Sequence, residues 1–216
     1  IKNSDSSHHI KPLMEAKLVS DNQFKALITW LEKTTADNKK PRFIVSASML
    51  LPRRLHSTAQ SITKHDYSAI HSDAWDGYPR TMHQLLRHIA HNDIKNLVFL
   101  SGDEHVSNVT TIDLNTYSAA SKETATTRIH SIHSSGLYSP YPFANSSPND
   151  FANKEIFDAG DNDLQCQVSS TFYPGDGFAL ISAYQMEEAW HISSNFSRAG
   201  KSLEPTEDVI SWSTRL

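Results

Sequence analysis

Asn96-Leu97-Val98-Phe99-Leu100-Ser101-Gly102-Asp103-Glu104-His105 is the stretch on which the fold turns. Its first half is a short apolar run, the pattern of a strand buried on both faces of a sheet. Its second half is polar and opens with a glycine, so the strand should stop at Ser101. Upstream, Pro79 suits a first helical turn, and Met82, Leu85, Leu86 and Ile89 repeat at helical spacing. Before that helix, Arg42-Phe43-Ile44-Val45-Ser46-Ala47-Ser48-Met49-Leu50-Leu51 reads as another buried strand, with a long loop over 52–74 between them. Strand, helix, strand is a βαβ unit with a right-handed crossover.

The reading extends outward on both sides. Ser20-Asp21-Asn22-Gln23 fits a capping box, and Phe24, Leu27, Ile28 and Leu31 form one helical face. The polar run Thr34 to Lys40 and then Pro41 should end that helix. Residues 1–19 show no period and read as a tail or linker, leaving 20–216 as the structured portion. Beyond residue 105, Val106–Leu114, Thr124–His133, Leu164–Phe172, Phe178–Tyr184, Trp190–Phe196 and Val209–Trp212 are short and alternating. They predict antiparallel strands, with turn residues such as Pro174-Gly175-Asp176-Gly177 between two of them. Residues 134–163, rich in Ser, Pro, Asn and Asp, predict a long loop. The fold class is therefore α/β, a βαβ unit followed by antiparallel strands.

The chemistry should gather at Gly102-Asp103-Glu104-His105, just past the end of a buried strand, where open α/β sheets hold ligands. Gly102 would allow a tight turn. Asp103 and His105, two apart on extended chain, would then share a side, with Glu104 facing away. A carboxylate oxygen beside an imidazole nitrogen suits a divalent or trivalent metal. The same residues are also compatible with a plain turn, Asp103 capping the next element and His105 packed inside. His130 and His133, three apart on a strand, should face opposite ways and cannot chelate together. Cys166 alternates with apolar neighbours and reads as a core residue.

Ser72-Asp73-Ala74-Trp75-Asp76-Gly77-Tyr78-Pro79, then a helix, then the strand ending Ser101-Gly102-Asp103-Glu104-His105, resembles the C-terminal block of PhoD-like phosphatases. These belong to the calcineurin-like metallophosphoesterase superfamily. That family shows a Trp-x-Gly-Tyr-Pro element, a helix, and a strand closing in Ser-Gly-Asp-x-His. The helix with Gln23 and Trp30-Leu31, the strand at Phe43 and the later Ser134-Ser135-Gly136 agree in order, so the resemblance covers about residues 18–140. It implies the C-terminal portion of a four-layer α/β/β/α sandwich that hydrolyses phosphate monoesters or diesters, of small molecules or lipids, with two metal ions. Such ions lower the pKa of a water for attack on phosphorus and neutralise charge on the phosphoryl oxygens. His105 would be a metal ligand, and Asp103 a ligand or the group orienting the nucleophilic water. Trp75, Asp76, Tyr78 and Arg80 would line the substrate mouth; for Trp75 and Tyr78 plain packing of the loop on the sheet is the alternative. The resemblance favours iron with calcium, while zinc or manganese also suit such donors.

Two departures stand against that pattern. The family's earlier metal ligands, in segments such as Gly-Asp-x-x-Tyr and Trp-Asp-Asp-His, have no counterpart in this sequence. They would have to come from an N-terminal part of the same protein, and the opening Ile1-Lys2-Asn3, mid-polar and without methionine, reads as a segment of something longer. The family's arginine three places after its proline is here Met82, with Arg80 nearby. A non-catalytic binding module derived from the same fold is therefore the alternative function, and an unrelated α/β domain with an accidental Gly-Asp-x-His is a third.

Composition narrows the partners. Net charge is −4 with a pI near 6.3, so nothing electrostatic favours nucleic acid or an anionic membrane. One cysteine, Cys166, excludes an internal disulfide and a thiolate zinc site. No apolar run has transmembrane length and the first residues do not form a signal peptide. The resemblance implies export, to the periplasm or outside the cell.

Overall fold

The computed structural model describes residues 15–35, 39–54, 74–118, 123–137, 147–159, 163–198 and 210–216. The first fourteen residues with His8 and His9, most of the expected 52–74 loop, and Val209 lie outside the described residues.

Helix α1 spans Asp21–Thr35 and starts as its sequence dictates. The Gln23 amide donates to Ser20 Oγ at 3.3 Å, and the Ser20 amide donates back to Gln23 Oε1 at 3.0 Å. Leu31 is fully buried, and Phe24, Leu27 and Ile28 pack on the same core. Helix α2, Pro79–His91, buries Met82, Leu85, Leu86 and Ile89 against that core, with Thr81 buried as well and Arg80 exposed.

Strands β1 (Arg42–Ser46), β2 (Leu97–Ser101), β3 (Val106–Ser118), β4 (Glu123–His133), β5 (Lys154–Asp158) and β6 (Leu164–Pro174) form one sheet, ordered β1-β2-β4-β3-β6-β5. β1, β2 and β4 are mutually parallel; β3, β6 and β5 add antiparallel ladders. Strands β7 (Gly177–Met186), β8 (Ala189–Arg198) and β9 (Ile210–Arg215) make a second, antiparallel sheet. Side chains alternate across the first sheet as the pleat requires. Leu97, Phe99, Ile112 and Ile129 meet the helices. Val98, Val109 and Ile132 face Ile192 and Phe196 of the second sheet. The layers are thus helix, sheet, sheet.

Four expectations change. β1 stops at Ser46, short of the expected Leu51, and is an edge strand with Val45 79% exposed. Met49, Leu50 and Leu51 are buried from irregular backbone, so the apolar run recorded burial but not strand. β4 is antiparallel to β3 as expected, yet it inserts between β3 and β2 and runs parallel to β2. β5 lies inside the region expected to be loop; in Lys154-Glu155-Ile156-Phe157-Asp158 only Phe157 is buried, so its pairing with β6 defines it. The remaining strands run a few residues longer than their alternation, β3 reaching Ser118 and β9 reaching Arg215.

This topology positions the site. β1, β2 and β4 all end on one edge of the sheet, and β3 departs from the same edge. β6 returns to it, its Pro174 paired with Val106, and β7 begins just beyond. Loops distant in sequence therefore emerge side by side at the carboxyl ends of the parallel strands.

Candidate metal centre at the strand ends

The segment 102–105 bridges β2 and β3 and is not extended: the chain bends at Glu104 and His105. The unusual backbone angle falls on Asp103, at φ 90°, and not on Gly102. Aspartate tolerates positive φ better than most residues, so the turn does not depend on glycine. The argument that Asp103 and His105 share a side of an extended chain is therefore replaced by loop geometry. Asp103 projects into solvent at the loop apex, and His105 is recessed, its side chain 19% exposed.

Two anchors hold this loop. His133, fully buried at the end of β4, contacts Ser101 Oγ through Nδ1 at 2.9 Å and the Glu104 carbonyl through Nε2 at 3.1 Å. A carbonyl only accepts, so Nε2 carries the proton and Nδ1 accepts from the serine hydroxyl. Burial holds this imidazole below the usual histidine range, with the Glu104 carbonyl opposing. The second anchor is the Glu104 carboxylate, ion-paired with Arg54. The Arg54 guanidinium lies 5.0 Å over the Phe151 ring, and its amide donates to Asp76 Oδ2 at 3.0 Å. Glu104 thus faces a protein cation, which the sequence did not disclose.

His105 sits against the next loop. A Cβ on Gly136 would lie 3.4 Å from its Cε1, ordinary contact distance, so the backbone at Gly136 runs close alongside the ring. Its Nδ1 is buried, has no hydrogen-bond partner among the described residues, and faces Asp176 Oδ1 at 3.6 Å. Asp176, read from sequence only as a turn residue, is the neighbour that sequence reasoning missed. Its signal was a Gly-Asp-Gly turn, too common to single out.

The other expected residues lie in three settings. Trp75 is in the core, edge-on to Phe99 at 6.5 Å, its indole N–H donating to Ser46 Oγ at 3.0 Å. Asp76 is buried beside the Arg54 amide, and Tyr78, half-buried, precedes α2. Arg80 is exposed and close enough to Asp21, at the start of α1, to help lower that carboxyl, a smaller effect than the Lys17 contact. The structure thus links Asp76 to the Glu104 loop through Arg54, and sets Arg80 beside α1. Met82, at the family's arginine position, is core.

His130 and His133 point to opposite faces of β4: His130 meets the Trp212 ring of β9 at 5.2 Å, while His133 turns to the loop. Burial, with Arg128 nearby, pushes His130 down to about 4. Cys166 is fully buried among apolar residues, its thiol pushed up to about 12 by that burial.

A family model of PhoD-like phosphatases matches residues 6–166. The chain belongs to that family. The match takes in both the Trp75–Pro79 turn and the Ser101–His105 strand end, which Arg54 joins in space. No match is found among curated proteins. Among solved structures, a structure of PhoD is similar with 13% identity and a TM-score of 0.49, over 91% of this chain and 33% of that one. The chain thus spans about a third of the length of that PhoD chain. As a PhoD-like phosphatase chain it presents a carboxylate and an imidazole at the strand ends. No three His, Cys, Asp or Glu converge as a metal cluster among the described residues. No helix among them is long and apolar enough to cross a membrane.

Proposed function

We propose that this chain supplies the C-terminal part of a binuclear metal site that hydrolyses phosphate esters, within a four-layer α/β/β/α sandwich. The observation that carries it is the His105 imidazole, recessed at the carboxyl ends of parallel strands, two residues along the same short loop from the exposed Asp103. The donor set fits a metal in kind, since imidazole and carboxylate are both common ligands of iron, zinc and manganese. It does not complete a coordination shell, so further ligands would come from outside the described residues. A bound metal would supply Lewis acidity and an acidified water.

The chain's own part follows from its residues. His105 would donate through Nε2, because Nδ1 faces Asp176. Asp103 would donate a carboxylate oxygen or take a proton from the attacking water. Glu104, Arg54 and His133 would fix the loop so that neither group must be ordered during the reaction. Asp76 would act at a distance by holding the Arg54 backbone, and Trp75 by bracing the turn that carries it. Tyr78 and Arg80 would meet the substrate only at its outer edge. Iron with calcium is the metal pair this reading carries, and export from the cytoplasm the location.

Elemental analysis of the full-length protein, with and without His105→Ala, tests the site. The substitution should strip metal and abolish p-nitrophenyl phosphate turnover, and the 216-residue chain alone should turn over little. Unchanged metal content, or equal turnover by short and long forms, would overturn the reading. One observation favours the alternative, a non-catalytic module: Met82 is packed into the core where the family carries an arginine. That module would keep its fold but show no turnover in any length of the protein.

A further inference from the structure

We propose that Asp176 is a positioning residue for His105, holding the imidazole so that Nε2 is presented to the metal; this rests on the reading of His105 as a ligand. The turn carrying Asp176 lies far along the chain, between β6 and β7, and the sheet order brings it to the same edge.

The turn is fixed there by three hydrogen bonds to residues 134–136. The Gly177 amide donates to the Gly136 carbonyl at 3.0 Å, and Ser135 Oγ donates to the Gly175 carbonyl at 3.1 Å. The Ala179 amide donates to Ser134 Oγ at 3.1 Å. Gly175, at φ 103°, takes a backbone conformation that a side chain would strain. Residues 134–136 thus do two things at once: Gly136 lies close to the His105 ring, and the same segment holds the turn that brings Asp176 to Nδ1.

The chemistry explains the pairing. An imidazole that binds a cation through one nitrogen carries its proton on the other, and that N–H needs an acceptor. A carboxylate in that place fixes the tautomer, orients the ring and raises the basicity of the ligating nitrogen. Asp176 Oδ1 stands 3.6 Å from Nδ1, a few tenths of an ångström beyond hydrogen-bond range, and Nδ1 has no hydrogen bond among the described residues. A merely structural surface pair would contribute little and would not change metal affinity.

The test uses the full-length protein stripped of metal, with Mn2+ alone as the probe in equilibrium dialysis. Asp176→Ala should weaken Mn2+ binding about 10- to 100-fold, and Asp176→Asn, which keeps an acceptor oxygen, by less. kcat on p-nitrophenyl phosphate should fall with KM little changed, and the melting temperature should stay within a few degrees. If His105→Ala abolishes Mn2+ binding while both Asp176 variants bind as the wild type does, the proposal is overturned and the ligand reading survives. If His105→Ala also binds normally, the ligand reading itself is wrong and the proposal falls with it. Should Asp176→Ala fail to fold, Asp176→Asn decides: at least about threefold weaker binding supports the proposal, and unchanged binding overturns it.

Discussion

Ser101 and His133 are register partners on parallel strands β2 and β4, and their side chains meet, Oγ to Nδ1, at 2.9 Å. The other nitrogen of that ring reaches past the strand end to the Glu104 carbonyl, so one buried imidazole spans the base of the loop bearing Asp103.

Replacing His133 with leucine keeps bulk but leaves the Ser101 hydroxyl and the Glu104 carbonyl without these bonds. The cost should be about 1–3 kcal/mol, from two partly buried groups losing partners. Urea unfolding reads the loss. Hydrogen exchange should show the amides of 102–105 opening faster, while those of β3 keep their protection relative to global unfolding.

Arg54→Met removes the cation that faces Glu104 and lies over the Phe151 ring, while keeping an apolar side chain of similar reach. Because this pair is largely shielded from water, the loss should be about 1–3 kcal/mol, more than an exposed pair would give. Arg128→Met, whose own side chain is 61% exposed in its pair with Asp113, should change stability by less than about 1 kcal/mol. Equal effects would show that the Arg54 pair is not an anchor.

The buried His130 gives the fold a pH dependence whose sign is fixed. Its folded value, about 4, is below the ordinary 6.5, so the unfolded chain binds the proton more readily. Stability is therefore full above about pH 6.5 and declines as pH falls toward 4, by up to about 3 kcal/mol. His133, shifted the same way, adds to the decline. His130→Phe, which can still pack on Trp212, should flatten the urea midpoint across that window relative to wild type. An unchanged slope would assign the dependence elsewhere.

Cys166 should be inert to thiol reagents in the native protein. It is fully buried, and its thiol is shifted up to about 12, so almost no thiolate exists at neutral pH. Ellman's reagent should register one thiol only after denaturation; fast reaction in native buffer would contradict the core assignment.

Much of the first half was legible in its residues. The Ser20–Gln23 box, the two amphipathic helices and the strand at Leu97 each follow from short-range stereochemistry and periodicity, which tertiary contacts only confirmed. Where local signals were thin, the reading failed. Val45 belongs to an apolar run yet is exposed, because position at a sheet edge is not written in the run itself. Lys154–Asp158 has no apolar alternation and becomes a strand only by pairing with β6.

The sequence by itself determined that an aspartate and a histidine stand at the end of an interior strand, because an apolar run must be buried and must stop where it turns polar. Only the tertiary structure decided what surrounds them. Inserting β4 between β2 and β3 set His133 beneath the loop, and the return of β6 carried Asp176 to His105. Those neighbours are fixed by strand order and register, which arise from long-range pairing and packing of the whole sheet, and no local pattern in the chain encodes them.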